Sequence, residues 1–126
     1  MNTVDQLLYV NPAEPVRLAV DRMRSHGISQ LPVCKNTPPF AAAEVAGSVD
    51  ELELMERIAA EASVLDLPVE DVMSPPLPTI GVGQKIERAL ELLHTAPALL
   101  VLAGGRPVAV LTRTDILAYF DQRAAT

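Results

Sequence analysis

The residues whose types and spacing promise chemistry lie near the end of the chain, in Thr112-Arg113-Thr114-Asp115. A hydroxyl is followed three positions later by a carboxylate. If these two sit on the first turn of a helix, the unpaired backbone N–H groups there attract an oxygen-rich ligand. A carboxylate held beside them can accept two hydrogen bonds from a ribose diol. The same spacing also spells a capping box, in which Thr112 caps the helix and Asp115 reaches back to the Thr112 N–H. Both uses need a strand that runs straight into a helix. Val108-Ala109-Val110-Leu111 supplies the strand, and Ile116, Leu117, Tyr119 and Phe120 are the apolar residues of the helix.

Other candidate groups read more plainly. Cys34 is the single cysteine, so no internal disulfide forms; it reads as a small hydrophobe inside a strand, in a reducing compartment. His26 and His94 fall at corresponding helix ends, where an imidazole favours the dipole, and neither is read as a metal ligand. Gly81-x-Gly83 with Lys85 lacks the length and strand context of a phosphate loop and reads as a turn. Arg113 reads as a solvated arginine at a helix start. No nucleophile–base pair, metal-ligand spacing or Schiff-base lysine is present, so no catalytic residue, metal or cofactor is expected, and the chain is not read as an enzyme.

Charge and hydropathy narrow the partners. The net charge is −6 with only two lysines, Lys35 and Lys85, which argues against nucleic acid. There is no signal peptide and no apolar run long enough to span a membrane, so a soluble cytoplasmic protein is expected. Tyr9, Phe40, Tyr119 and Phe120 are the only aromatics, so the core must be aliphatic.

The elements that would hold Thr112 and Asp115 come in a repeating order. Tyr9-Val10 is extended, and Asn11-Pro12 turns it. A helix starts at Glu14-Pro15, carries the stripe Val16, Ala19, Val20 and Met23, and stops at Gly27. Ile28 to Cys34 is a strand, 35–43 a loop, Glu44 to Val49 a second strand, and Glu51 to Ala60 a helix. A linker runs from Glu61 to about Pro68, and Val69 to Met73 makes a short helical turn. Pro78-Thr79-Ile80 is then extended, Lys85 to His94 helical, and Leu99 to Leu102 a strand. Gly104-Gly105 makes a hairpin turn, Pro107 to Leu111 the partner strand, and the last helix closes the chain.

The two halves align. Val10, Val16, Ala19 and Met23 match Ile80, Ile86, Ala89 and Leu93 at an offset of 70. The first strand matches at 68 (Val33 with Val101) and the second at 62 (Val49 with Leu111), so the first copy carries six more residues between its paired strands. The fold expected is α+β (mixed α/β), two copies of strand–helix–strand–strand–helix over 1–62 and 69–126, joined by a linker at 63–68. So small a sheet cannot bury both faces alone, so the copies should pack together.

Such a chain resembles a tandem CBS-domain pair, or Bateman module. The matching stretches are Gly27-Ile28-Ser29-Gln30-Leu31-Pro32-Val33, Val45-Ala46-Gly47-Ser48-Val49, Asp71-Val72-Met73-Ser74-Pro75-Pro76 and Pro107 through Leu117. More narrowly, GISQLPV, MSPPLPTIG and PVAVLTRTDILAYF resemble the C-terminal regulatory module of bacterial cystathionine β-synthases, which sits behind a pyridoxal-phosphate catalytic domain. The resemblance implies pseudo-two-fold packing and adenosyl ligands (AMP, ADP, ATP or S-adenosylmethionine) in clefts between repeats. Its ribose motif, a hydroxyl and then Asp three positions on, is met by Thr112 and Asp115. The first repeat carries Asp50 and Glu53 at those positions, a departure that implies one competent site and one degenerate site. Carried over, the resemblance has Gln6, Leu8, Ile28, Ser29 and Gln30 frame the adenine and tail, with Val110 lining the floor. The leading expectation is an allosteric S-adenosylmethionine sensor of a cystathionine β-synthase. An AMP or ATP sensor serving another enzyme or transporter is the alternative. A module that only forms a homodimer, through the faces of Glu51–Ala60 and Thr114–Asp121, is a third reading.

Overall fold

The computed structural model describes residues 7–125, with side chains through residue 122. Its regular elements are α1 (Val16–His26), β1 (Gln30–Cys34), β2 (Val45–Asp50), α2 (Glu51–Ala60), β3 (Thr79–Gly81), α3 (Ile86–Leu93), β4 (Ala98–Ala103), β5 (Arg106–Thr112) and α4 (Arg113–Ala125). Short 3-10 turns lie at Ala42–Glu44, Ala62–Asp66 and Val69–Asp71. The architecture is mixed α/β, with a strand–helix order that occurs twice. The chain divides into two compact units, Leu8–Pro76 and a second unit built on Leu77 onward, to which Leu7 also belongs.

In the first unit, Pro15 stands at the N-cap of α1 with extended backbone, where its missing N–H costs nothing. Val16, Ala19 and Met23 turn inward, and Gly27 ends the helix at φ 61, a left-handed conformation that glycine adopts without a Cβ clash. β1 and β2 pair antiparallel from Gln30↔Asp50 to Val33↔Gly47, with an irregularity before Cys34. Val10 adds a parallel bridge to Val33 on one side of this pair.

On the other side, Ser74 pairs with Ser48 through both backbone bonds, at 2.8 and 2.9 Å. The Ser48 hydroxyl donates to the Pro75 carbonyl at 2.7 Å. Gly47 makes this approach possible: a Cβ there would lie 2.6 Å from the Ser74 carbonyl oxygen.

Two segments are more ordered than expected. The stretch after α2 is not a bare linker. Ala62–Asp66 packs on α1 and α2, and Val64, Val69 and Val72 join the core of Val10, Val16, Ala19, Val33, Val49 and Leu54. Its backbone is tied down too, since the Val16 N–H donates to Leu67 O and the Val69 N–H to Glu14 O. Burial of three valines outweighs the polar character of Glu61, Ser63 and Asp66 around them, each valine contributing on the order of 1.5 kcal/mol. The loop after β1 is likewise pinned. Phe40 is buried and meets Tyr9 edge-on at 4.8 Å between centroids, while the Asn11 amide donates to Cys34 O and Asn36 O.

In the second unit, β3 runs parallel to β4 and β4 antiparallel to β5, in the order β3-β4-β5. Gly104 (φ 58) and Gly105 (φ 76) form the β4–β5 turn. Two left-handed residues in succession match the right-handed twist of a two-residue hairpin. The core is aliphatic, with Ile80, Ala89, Leu93, Leu99, Val101, Ala109 and Ile116.

Candidate functional site

β5 ends on Thr112 and α4 begins at Arg113, so Thr112 occupies the helix N-cap position and Asp115 the third helical residue. The Asp115 Oδ2 accepts the Thr112 N–H at 2.9 Å and the Thr112 hydroxyl at 3.0 Å. In return Thr112 Oγ1 accepts the Asp115 N–H at 3.3 Å. The capping box is therefore formed. It also aims the carboxylate: one oxygen is committed to the fold, while Oδ1 has no hydrogen-bond partner among the described residues. Both residues are half-buried. An oriented acceptor beside the first-turn N–H groups of α4 is chemically suited to a diol. Val110, half-buried on β5 opposite Leu100, lies two residues upstream.

Arg113 is exposed at the start of α4, as expected, but its guanidinium is also engaged within the fold. Its Nε and Nη2 donate to Leu93 O at 2.9 and 2.6 Å, and Nη2 also reaches Ala96 O at 3.3 Å. The guanidinium thus satisfies carbonyls at the end of α3, where a cation complements the helix dipole.

The matching positions of the first unit are built differently. Gln30 and Asp50 are register partners across β1 and β2, and the Gln30 amide donates to Asp50 Oδ1. Asp50 Oδ2 caps α2 by accepting the Glu53 N–H at 3.0 Å. Glu53 Oε2 in turn accepts the Ser74 hydroxyl at 2.7 Å. Both Asp50 oxygens and one Glu53 oxygen are therefore engaged within the unit. The tie between Gln30 and Asp50 was readable only once the strand register was known. That between Ser74 and Glu53 depends on a segment with no strand signal of its own.

Of the other residues expected at the site, Gln6 lies outside the described residues. Leu8 and Ile28 are half-buried and pack against the first core. Ser29 is exposed, with its carbonyl accepting the Glu51 N–H at 3.0 Å. Gln30 is buried. Thr112, Asp115 and Val110 thus belong to one cluster in the second unit, and Ile28, Ser29 and Gln30 to another in the first.

Cys34 is fully buried, and its thiol is pushed up to about 12 by burial first and by the Glu44 charge second. It is no nucleophile at neutral pH. Among the described residues no three His, Cys, Asp or Glu side chains converge to hold a metal ion, and no helix is long and apolar enough to cross a membrane.

Residues 1–60 and 69–122 each match the CBS domain. The chain belongs to the CBS-domain family. Solved structures agree on the fold of the CBS pair. A CBS domain-containing protein from Bacillus anthracis is 21% identical, with a TM-score of 0.78 over 97% of this chain and 89% of its own. CBSX2, solved in complex with AMP, is 21% identical with a TM-score of 0.76, over 98% of this chain and 94% of its own. The Listeria monocytogenes CbpB protein, solved in complex with c-di-AMP, is 22% identical with a TM-score of 0.72, over 99% of this chain and 94% of its own.

Proposed function

We propose that this CBS pair is a regulatory module that binds an adenosyl ligand through the second repeat, with Asp115 on the ribose diol and Thr112 beside the tail. The observation that carries this reading is the contrast between the two helix starts. Among the described residues Asp115 keeps an oriented oxygen without a partner, whereas Asp50 has both oxygens engaged. One ligand per chain is the expected stoichiometry. Relatives solved with AMP and with c-di-AMP support the adenosyl class.

Within that class we place S-adenosylmethionine first, in keeping with the likeness of this chain's motifs to the regulatory end of cystathionine β-synthases. A cationic sulfonium suits a chain of net charge −6 better than a triphosphate does. Arg113, the one cation inside the Thr112–Asp115 turn, is already occupied by Leu93 O and Ala96 O. In this reading Leu8, Ile28, Ser29, Gln30, Gln6 and Val110 contribute to ligand binding, and an attached pyridoxal-phosphate domain is the target of regulation. The ligand shifts that target only by its difference in affinity for two states of the module.

Calorimetric titration of S-adenosylmethionine, AMP and ATP, each into the wild-type chain and Asp115→Ala, tests the proposal. Binding of S-adenosylmethionine alone, lost in the variant, supports it. Preference for AMP or ATP moves the module to an energy-sensing role, the second reading, which the AMP-bound relative favours. Binding that survives Asp115→Ala rejects both.

Self-association is a further part of the proposal. Leu52 and Met55 on α2, and Leu117 and Phe120 on α4, are exposed apolar side chains that a homodimer would cover. Sedimentation should show a dimer that Leu117→Glu disrupts.

A further inference from the structure

The helices α1 and α3 end in different ways. Past α1 the chain turns at the left-handed Gly27, and the Ile28 N–H reaches back to Met23 O at 3.0 Å. A glycine in that conformation lets the backbone close its own last carbonyls. Leu93, the counterpart of Met23 at the offset of 70, is followed instead by His94-Thr95-Ala96-Pro97. Pro97, four positions on, has no N–H to donate, and the Ala96 N–H goes to Leu92 O at 3.2 Å.

Arg113 takes the place of that backbone cap. Its Nε and Nη2 fork onto Leu93 O at 2.9 and 2.6 Å, and Nη2 spans to Ala96 O at 3.3 Å. Leu93 and Ala96 are buried residues, and an acceptor left unmet among such residues is costly. The same arginine is the first residue of α4, directly after Thr112 in a turn that Asp115 completes. Its counterpart in the first unit, at the offset of 62, is Glu51, an exposed acid that has nothing to donate to a carbonyl. The tie from the end of one helix to the start of the next therefore goes with the repeat that carries the hydroxyl and the aspartate.

We propose that Arg113 is a positioning residue for the adenosyl site, holding the first turn of α4 on the end of α3 so that Asp115 meets the ribose diol in a fixed orientation. This role rests on the adenosyl reading of Asp115. Thr112 is held on one side by its pairing with Ala98, and the guanidinium holds the other side of the turn to the residues just before Ala98. A carboxylate on a turn free to rock would lose the preorganisation that a two-bond contact needs. Arg113 acts through Asp115 and leaves the ligand untouched. Lysine cannot replace it, because an ammonium has no planar fork to span two carbonyls.

The test compares the full chain with its Arg113→Lys variant by two readouts. In the ligand-free chain, amide exchange at Thr112 and Asp115, whose N–H groups make the capping box, should quicken about tenfold. Exchange at Val101 and Ala109, partners across β4 and β5, should stay as in the wild type. S-adenosylmethionine, AMP and adenosine are then titrated by calorimetry. Each that binds the wild type should lose about tenfold in affinity, by a common factor, since all three present the same diol. Wild-type affinity or wild-type exchange in Arg113→Lys overturns the proposal. A loss confined to AMP also overturns it, by making Arg113 a phosphate contact. Arg88→Gln, which removes the exposed pair with Glu91 on α3, should move neither readout; if it moves both, general loosening of α3 is the cause and the proposal falls. A wild-type chain that binds none of the three defeats the adenosyl reading itself, before any variant is made, and this role with it.

Discussion

At Asp115 one side chain serves two ends, because its Oδ2 holds the α4 cap while Oδ1 stays available. Asp115→Ala should therefore cost about 1 kcal/mol of stability, the usual loss of a cap, read by chemical denaturation. It should also weaken the adenosyl ligand about thirtyfold or more, since a hydrogen bond to a charged acceptor contributes roughly 2 kcal/mol. Thr112→Ala should share the first effect. Cys34 makes a different residue-scale prediction. Its folded thiol titrates near 12 against the ordinary 9.0, so the neutral form is favoured by the fold. Its contribution is fully present below pH 9.0 and is lost as pH rises toward 12. Denaturation midpoints should fall over that window and fall less in Cys34→Ala. At neutral pH the folded chain should resist thiol reagents.

Among the elements, β2 and the segment that follows α2 show most clearly what sequence reveals and what it hides. The helix Glu51–Ala60 and the Gly104-Gly105 hairpin are legible because their signals are local: an apolar stripe after an acidic cap, and two glycines between apolar runs. The Thr112–Asp115 turn is legible for the same reason. Residues 61–68, read as a linker, are not, because their apolar positions match neither a 3.6 nor a 2.0 period, whereas the turn from Val69 is legible. Only the surface they cover explains them. The pairing of Ser74 with Ser48 is equally silent, since a Ser-Pro-Pro stretch carries no strand propensity. Gly47 is the trace it leaves. Gly47→Ala should cost about 1–3 kcal/mol, as forced overpacking does, because the new methyl would meet Ser74 O and the Met73 sulfur, at 2.6 and 2.8 Å. Ala109→Gly, at the corresponding position of β5, should not relieve it.

On the scale of the molecule, the repeat gives two units with the same strand–helix order whose described residues are buried to different degrees. Val64, Val69 and Val72 join the core of the first, and among the described residues Ile86 and Leu111 of the second are half-buried where Val16 and Val49 are buried. Local opening is easiest where few apolar contacts hold an element. Amide exchange should accordingly be faster in β3 and α3 than in Val10 and α1, and mass spectrometry of exchanged peptides checks this. The prediction fails if the two helices exchange alike.

The hydrogen bonds around Asp50 also bear on how the first repeat could be made to match the second. Restoring a hydroxyl and an aspartate at positions 50 and 53 would release Gln30 on one strand and Ser74 on the incoming segment, each losing the acid that now satisfies it. Each substitution toward a symmetric pair would alter a hydrogen bond that now holds the first unit together. The asymmetry is thus tied into the fold: the acids of the first repeat hold Gln30 and Ser74 in place.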